Sequence, residues 1–564
     1  MEQTYSKDSK RLQARYQYAL AQRQLWSNEF DQAYRWMMPN RLPLTDNNNG
    51  QFVTLNSMTR GQDRMASIFD STGIESIYAF ANNVQMTLMP PYTKWGLVAT
   101  GDSIMKLPQE YIDYYGPITQ KTVDDIKKQL EDFNEILYIE FGKSKFEAVI
   151  NECLQDLAVT MGVLLLHEGT LDDPIIYDAI PANQIVIETG AHGEIVAVWY
   201  PITVPAWTIL ERWPDAQLPN DLMSLIDNNP QQPTRIIIGT VLYPDAQEGQ
   251  QIYFYVTLDD SKTEIYCEYL DQFPWIIFRG SKSPGEEYGR GPALTALPFV
   301  RELNKLSEYM LKGLQMQAYP ILLMTGQMDR NPYTFSLDPG SIIWTPPGLK
   351  AADAASSLTG GRVDLPLQWV KDMQALIKEI MFANPLNLLS TPEKTATEAN
   401  IINNNWIQKN AGFFSRLALE LFPPLFNKTI HILTKKGVLP KIMVNDIPVE
   451  VRLDNVLFKL QYQSPLAKLQ DQLAAQNIIQ GSQALASLLG NPQWLLSVNV
   501  EKFPQTLLEK FNWPAQLINY NFGTDYAQPI IAQIQKLIGG QPPANEQPAT
   551  FNNGPIIPPN NLGS

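Results

Sequence analysis

The chain has 564 residues, and 43 Lys and Arg against 58 Asp and Glu give it a formal net charge of −15. Hydrophobic residues make up 44% of the chain and two residues are cysteine, which excludes general disorder and a disulfide scaffold. An acidic chain is also not expected to coat nucleic acid through a basic surface. The polar N-terminus lacks the apolar core of a signal peptide, and the longest apolar run, residues 158–166, is too short for a membrane span. We therefore expect a soluble protein of a reducing cytoplasm.

Residues 1–165 are predicted to be mainly helical. Residues 6–38 contain neither Gly nor Pro, and a second helix over about 61–89 ends at a Pro-Pro pair. The polar residues 40–60 predict a loop between these two helices. Two more helices are predicted over 119–132 and 144–165, the last because apolar residues recur there at helical spacing.

From about residue 174 the pattern changes to that of β-strands. Two apolar runs, at 185–187 and 195–198, flank a glycine-containing turn and predict a hairpin. Further strands are predicted at 235–243, 251–258, 263–269 and 274–279. Because most connections are short, residues 174–280 predict an antiparallel meander.

Two helices separated by an irregular insert follow the strands. The first, over 293–318, has an apolar face made by Leu297, Val300, Leu303, Leu306, Met310 and Leu314. If Pro298 lies in the first turn of this helix, its missing N–H removes no hydrogen bond. The second helix, over 366–383, ends before Pro385. The insert, 320–365, is punctuated by Pro and Gly and contains one predicted strand at 341–344.

The last third of the chain begins with a long predicted helix. Thr395 to Glu398 form a capping box that opens it, and Pro423-Pro424 are expected to interrupt it before it resumes over 425–436. Short strands at 441–444 and 449–453 and a helix over about 465–489 follow. Residues 539–564, rich in Pro, Gly and Asn, are expected to lack fixed structure.

No stretch of the sequence completes a catalytic or metal-binding motif. Residues 142–144, Gly-Lys-Ser, match the end of a phosphate-binding loop, but position 137 is Leu where that loop needs Gly. His167-Glu168 is followed by Leu171, which does not fit the zinc-protease pattern. We therefore predict no catalytic residue, no metal and no cofactor, and keep a cytoplasmic enzyme without a recognisable motif as an alternative.

Four stretches stand out in this order of elements. They are Glu286-Glu287-Tyr288-Gly289-Arg290-Gly291-Pro292-Ala293 leading into residues 294–314, Asp70-Ser71-Thr72 followed by Ala79, Leu88, Pro90 and Trp95, the run 158–165, and the run 390–398. Together they resemble portal proteins, and more specifically the head-to-tail connector proteins of short-tailed, T7-like phages. The resemblance spans about residues 70–480, and its specificity lies in the order and spacing of the stretches.

The resemblance implies an α+β, predominantly α-helical portal fold that assembles into a dodecameric ring around a central channel. It assigns 1–292 to the wing, 293–319 and 366–383 to two stem helices and 320–365 to the clip. It further assigns 384–394 to the tunnel loop, 395–464 to a long helix with returning strands, 465–538 to the crown and 539–564 to a disordered tail.

The function implied is that of a channel for packaging and ejecting double-stranded DNA at one capsid vertex, without catalysis. The implied partners are terminase, the tail adaptor, the major capsid protein and the scaffold, with no membrane. The implied location is the virion, after assembly in the host cytoplasm. Candidate channel residues in the tunnel loop are Asn387, Ser390, Thr391 and Lys394, and candidate clip contacts are Arg330, Tyr333, Trp344 and Lys350.

Simpler interpretations of these residues stay open. Trp344 suits an ordinary packed aromatic position, and Lys394 suits a solvated position near a helix start. Another structural subunit of the head-tail junction or tail is the alternative within the virion. If part of the acidic charge lines the channel of a ring, it would repel the DNA phosphates, as suits DNA that must slide and not be gripped.

Overall fold

The structure is a computed structural model that describes residues 2–41, 65, 67–91, 93–101, 104, 113, 115–245, 249–259, 262–319, 322–325, 341–345, 364–383, 410–445, 447–453, 456–462, 475, 477–484, 503, 507 and 508. The chain divides into two compact units, residues 1–467 and 468–564. In the second unit, residues 477–484 are helical. The first unit mixes helices and sheets, and all that follows concerns it. Among the described residues, no helix combines the length and apolar character needed to span a membrane.

The first unit begins with helices, as the sequence predicts, but their bounds differ. They are α1 (Glu2–Met37), α2 (Thr72–Leu88), α3 (Gln120–Lys143) and α4 (Phe146–Leu157). Helix α2 begins later than predicted, because Asp70 accepts a hydrogen bond from the backbone N–H of Thr72 (2.9 Å) and so caps its first turn. Helix α3 runs eleven residues beyond the predicted end at residue 132.

The prediction of a helix over 144–165 is wrong in its second half. Helix α4 ends at Leu157, and β2 (Gly162–Glu168) follows a short turn. The first five residues of β2 are all buried, and a strand buried on both faces shows a continuous apolar run that cannot be told from a buried helix by periodicity. Gly162 lies under the ring of Phe278, where a Cβ atom would come within 2.2 Å of ring carbons.

The predicted meander is present. It forms a five-stranded sheet in which each strand is antiparallel to the next in chain order. The strands are β4 (Val186–Thr189), β5 (Ile195–Pro205), β6 (Pro233–Asp245), β7 (Gly249–Leu258) and β8 (Glu264–Leu270). Strand β3 (Ile175–Ala179) precedes them in the chain and belongs to another sheet. Two short helices, α5 (Ala206–Arg212) and α6 (Asn220–Asn228), fill the connection between β5 and β6.

The last predicted strand of the meander belongs to a different sheet. β9 (Trp275–Phe278) pairs antiparallel with β2, whose other neighbour is β3, in a three-stranded sheet. All four residues of β9 are buried, so it lacks the in-out alternation of a sheet with one solvated face. The chain therefore returns at β9 to the strand β2 that follows helix α4.

Two long helices lie where the sequence predicts them. They are α7 (Pro292–Ala318) and α8 (Asp364–Ile380), and they pack against each other. Pro298 is the seventh residue of α7 and not part of its first turn, so it removes one internal hydrogen bond. Between the helices the structure describes two short parallel strands, β10 (Leu322–Thr325) and β11 (Ile342–Thr345), the second of which was predicted.

Helix α9 (Ala411–Lys435) runs through Pro423-Pro424 without the predicted interruption. Phe422, Leu425 and Phe426, on either side of the pair, are buried to within 1% exposure. Packing of these side chains in the core offsets the hydrogen bonds that two prolines remove. Residues 384–394 and the predicted helix start at 395–398 lie outside the described residues.

Three short strands complete the unit. β12 (Ile442–Val444) and β13 (Ile447–Val449) form an antiparallel hairpin. β12 matches the predicted strand at 441–444, whereas β13 ends at the residue where the second strand, over 449–453, was predicted to begin. β14 (Phe458–Tyr462) was not predicted, and it pairs antiparallel with β1 (Gly96–Thr100).

Trp95 lies at the centre of the main core. Its ring is surrounded by aromatic rings of α3, α4 and α9 at centroid distances of 5.3–6.0 Å, from Tyr138, Phe141, Phe146, Phe422 and Phe426. This core joins α1 to α4, the three-stranded sheet and α7 to α9, and smaller apolar clusters cover the two faces of the five-stranded sheet.

Candidate functional site: the helix-pair junction

Most residues that the sequence singles out for the channel and the clip lie outside the described residues. These are Asn387, Ser390, Thr391, Lys394, Arg330, Tyr333 and Lys350. Trp344 lies in β11, where its backbone is in register with that of Met324 in β10. The structure therefore brings none of these residues together, and their roles stay predictions.

Three of the four stretches that carry the resemblance meet at one place, where α7 and α8 join the rest of the first unit. We call this place the helix-pair junction, defined by Asp70, Asp156, Gly289, Gly291, Asn304 and Gln374. The fourth stretch, 390–398, lies outside the described residues.

Asn304 ties α7 to the segment before α2. Its side-chain Oδ1 accepts hydrogen bonds from the backbone N–H groups of Phe69 (2.7 Å) and Asp70 (3.4 Å), and its Nδ2 donates to the carbonyl of Ser67 (3.0 Å). Asn304 is 4% exposed, so these bonds are shielded from water. Gly73, near the start of α2, packs closely against α7, and a Cβ atom at this position would lie 3.0 Å from the side chain of Val300.

Asp70 ties the same segment to α8. One carboxylate oxygen caps α2 at Thr72, and the other accepts a hydrogen bond from Nε2 of Gln374 (2.8 Å). The two long helices are thus held to one short segment, α7 through Asn304 and α8 through Gln374.

The glycines before α7 allow two backbones to touch. The N–H of Gly291 donates to the carbonyl of Val159 (3.0 Å), and that of Ala293 donates to Ala158 (2.9 Å). A Cβ atom at Gly291 would lie 2.0 Å from the Ala158 oxygen, and one at Gly289 would lie 2.3 Å from the oxygen of Thr160. The stretches 158–165 and 286–293 are therefore the two sides of one contact.

Asp156 fixes the other end of the 158–160 turn. Its carboxylate accepts hydrogen bonds from the Tyr34 hydroxyl (3.2 Å) and the backbone N–H of Ala182 (3.3 Å), and pairs with Arg41 at 3.2 Å. Burial raises the pKa of Asp156, while the nearby Arg41 opposes that shift. The carboxylate so links α1, α4 and the three-stranded sheet.

Arg279 holds the loop that leads into α7. Its guanidinium binds both carboxylate oxygens of Glu420 at 3.1 Å and donates to the carbonyls of Glu287 (3.0 Å) and Gly193 (3.3 Å). A bidentate pair of this kind fixes orientation as well as distance. It joins the end of β9, helix α9 and the β4–β5 hairpin.

Helix α1 covers this loop through arginine-aromatic stacking. Arg23 is 1% exposed, and its guanidinium lies 4.7 Å from the Phe30 ring centroid and 4.8 Å from that of Tyr288. Burial lowers the pKa of Arg23. Nearer the surface, Arg290 lies 4.7 Å from the Trp26 ring and pairs with Glu286 at 2.8 Å. Cation–π contacts therefore attach α1 to residues 286–290.

Helix α8 ends in an unusual cap. The N–H of Ala383 donates to the carbonyl of Lys378 (2.8 Å) and that of Phe382 donates to Glu379 (3.2 Å), which is the Schellman pattern. Phe382 takes a φ of 54°, in the left-handed region where glycine is usual. Helix α9 ends in the same pattern with Gly437 at that position.

Ring packing compensates for the backbone of Phe382. Its ring lies 5.9 Å from that of Phe80 in α2 and 5.6 Å from that of Phe413 in α9. Its carbonyl accepts a hydrogen bond from Asn83 (2.8 Å). The end of α8 and the start of α9 are thus held against α2.

The junction has the character of a mechanical attachment. Its polar groups make structural hydrogen bonds between elements, and no group of His, Cys, Asp and Glu among the described residues could hold a metal ion. Asn304 and Asp156 were missed in the sequence. Both are polar residues among the apolar residues of a helix. A polar residue at a position expected to be buried was the signal that could have identified them.

Comparison with known proteins identifies the family. The family model described as "Bacteriophage head to tail connecting protein" matches residues 9–518. The chain belongs to this family. It is therefore a structural protein of the bacteriophage head-to-tail junction, and the virion is where such a connector resides.

Other comparisons add less. No curated protein matches this connector. Among solved structures, a chain of the "Virion of native gene transfer agent (GTA) particle" is similar, with 13% sequence identity and a TM-score of 0.31. The match covers 78% of the connector and 91% of that chain.

Proposed function

We propose that this connector forms a dodecameric portal ring at one capsid vertex of a short-tailed, T7-like phage. The ring is the channel through which double-stranded DNA is packaged and later ejected. Helices α7 and α8 form the stem, 320–365 the clip that binds terminase and then the tail adaptor, and 384–394 the tunnel loop. The capsid protein and the scaffold surround the wing, and the connector itself catalyses no reaction.

Exposed apolar side chains on α7 and α8 carry the proposal of a ring. In a single chain the two helices leave these residues open to solvent: Tyr309, Leu311, Leu314, Tyr319, Leu367, Trp369 and Leu376. Trp369 is 57% exposed and Leu314 is 49% exposed. A set of exposed apolar side chains on two helices that pack together is typical of an interface in a water-soluble protein.

The geometry of these residues favours another helix pair as the occupant. Leu376 follows Trp369 by two helical turns, so the two side chains lie on one face of α8. Leu314 prolongs the buried stripe of Val300 and Leu303 along α7, beyond the part that the chain itself covers. A neighbouring copy of the same helix pair presents matching stripes, as a closed ring requires.

The first experiment measures the particle. We expect mass photometry of the purified connector to give about twelve copies of the 63.8-kDa chain, and negative-stain microscopy to show rings with a central channel. The double variant Trp369→Glu/Leu376→Glu should shift the mass towards the monomer. The matched control is Leu171→Glu, which charges a residue that is 78% exposed in the β2–β3 connection and should leave rings intact. Particles of monomer or dimer mass under every condition would contradict the proposal.

The second experiment tests the channel. Deleting residues 386–394 should leave rings intact but impair DNA packaging or retention, because this segment narrows the proposed channel. Packaging at the wild-type level by rings of the deletion variant would refute the assignment of the tunnel loop.

A further inference from the structure

Two adjoining cavities lie beside α9, away from the helix-pair junction. One, of about 480 Å³, is bounded by α9, the five-stranded sheet, the end of β2 and the loop before β9. The other, of about 640 Å³, lies between the same loop, α9 and residues 450–453. Lys428 and His431 line both cavities. Volumes of this size are those of small-ligand pockets.

Lys428 forms no ion pair with a carboxylate in the part of the chain that the structure describes. Its Nζ donates a hydrogen bond to the carbonyl of Trp275 and lies 5.6 Å from the Phe273 ring centroid. Among the described residues, no carboxylate oxygen lies within 4.0 Å of it. Burial lowers the pKa of Lys428 to about 7. A half-buried ammonium without a counter-ion is unfavourable, and an incoming anion would relieve that cost.

His431 follows Lys428 by three residues and so lies on the same face of α9. Its Nδ1 is 3.8 Å from a carboxylate oxygen of Glu450, while its Nε2 is buried and has no hydrogen-bond partner among the described residues. A buried polar atom left in this way calls for a partner. Both residues line the two cavities, and each has hydrogen-bonding groups beyond those engaged in the contacts above.

Most other charged groups around the cavities have partners, and Arg212, whose guanidinium lies 5.1 Å from the Trp213 ring centroid, adds a further cation to the wall of the first cavity. Lys435 binds Glu168 at 2.8 Å and Asp271 at 3.3 Å, and Glu268 accepts a hydrogen bond from Tyr266. His167, which also lines the first cavity, pairs with Asp178 at 3.3 Å. The remaining walls are largely aromatic, with Trp213, Phe254, Tyr266, Phe273 and Trp275. Nearby acidic groups disfavour a dianion such as phosphate, whereas a monoanion with an apolar body matches both the charge and the walls.

We propose that Lys428 and His431 bind a carboxylate carried on an apolar or aromatic body, which occupies the cavity beside α9. The ammonium supplies the charge, the imidazole a second contact three residues away, and the aromatic walls cover the rest of the ligand. The carboxylate belongs either to a free small molecule or to the end of a peptide. The site is independent of ring formation, so the proposal stands or falls separately from the proposed function.

The test uses the full-length connector and calorimetric titration. We expect benzoate to bind, and benzamide, its uncharged analogue, to bind at least tenfold more weakly. Affinity for benzoate should fall by about 25-fold between pH 6.5 and 8.5, because Lys428, with a pKa of about 7, loses its proton in that range. Lys428→Met and His431→Leu should each weaken binding at least tenfold. Lys435→Met, on the same wall but already paired, is the matched control and should keep it.

A second arm distinguishes the sources of the carboxylate. A pentapeptide ending in a free Phe carboxylate is compared with the same peptide amidated at its C-terminus. Saturation by the free peptide alone would support a peptide ligand, and saturation by benzoate as well would support a free small molecule. Failure of both, equal binding of benzoate and benzamide by the wild-type protein, or undiminished binding to a folded Lys428→Met variant would overturn the proposal.

Discussion

Adding a single methyl group at Gly291 is expected to destabilise the connector. The backbone there has φ −79° and ψ 164°, which any residue adopts, so conformational strain plays no part. The new Cβ atom would lie 2.0 Å from the carbonyl oxygen of Ala158, far inside van der Waals contact. The two backbones must then separate, which stretches the hydrogen bonds from Gly291 to Val159 and from Ala293 to Ala158.

The magnitude follows from those two hydrogen bonds. Each contributes about 1 kcal/mol, and leaving a buried group unpaired costs up to about 3 kcal/mol, so Gly291→Ala should lower the free energy of unfolding by about 2–4 kcal/mol. The matched control is Gly313→Ala in the same helix, where a Cβ atom meets nothing within 4 Å. There the higher helix propensity of Ala should stabilise by about 1 kcal/mol.

Differential scanning calorimetry at one fixed scan rate compares the unfolding temperatures of both variants, since large proteins often unfold irreversibly. The same chemical change should lower the unfolding temperature at one position and raise it at the other. A Gly291→Ala protein that unfolds at or above the wild-type temperature, beside a normal Gly313→Ala control, would refute the close-contact reasoning.

Three further predictions concern single side chains. Asn304→Leu should lower the free energy of unfolding by about 2–3 kcal/mol, because two backbone N–H groups and one carbonyl lose their partner, as denaturant titration can measure. Phe382→Gly relieves a left-handed backbone worth about 1 kcal/mol but removes a half-buried ring, so a net loss of about 1–2 kcal/mol is expected in the same assay. Lys428→Met should flatten the pH dependence of the free energy of unfolding. The pKa of Lys428 is about 7 in the folded protein and higher in the unfolded chain. The free energy of unfolding of the wild type therefore rises with pH above about 7, by up to about 1.4 kcal/mol per pH unit.

Each of these has its own control. Gln315→Leu, at an exposed position of α7, should change stability by less than about 0.5 kcal/mol. Gly437→Ala should destabilise α9, because no ring packing offsets the strain at the equivalent cap position. A wild-type and Lys428→Met pair with the same pH slope between 7 and 10 would show that the folded protein does not hold Lys428 uncharged.

The helices that sequence reasoning predicts best are those with both an apolar stripe and clear end signals. Helix α7 begins at Pro292 and α8 ends at Ile380, a few residues before Pro385, and both lie within three residues of the predicted bounds. The strand β2 could not be predicted, because burial on both faces removes the alternation that marks a strand. The prediction that the Pro-Pro pair interrupts α9 was wrong, because packing in the core overrides local helix propensity.

The junction was only partly visible in the sequence. The glycines at 289 and 291 were noticed as part of a resemblance, but their reason, contact with the backbone of residues 158–160, depends on the fold. Asn304 and Gln374 have partners more than 230 residues away, and no local pattern predicts such pairings. The cavity beside α9 likewise draws its walls from separate segments of the chain.

The pairing of β1 with β14 sets the timing of folding. Residues 96–100 find their partner in residues 458–462, roughly 360 residues later, and synthesis at 5–20 residues per second makes that delay roughly 20–70 s. The core around Trp95, next to β1, is likewise completed only after α9 has been synthesised, because Phe422 and Phe426 pack against the Trp95 ring. During that interval a strand edge and an aromatic cluster remain uncovered on the ribosome. The nascent connector is thus an expected client of chaperones, and its first unit cannot be complete before residue 462 has been synthesised.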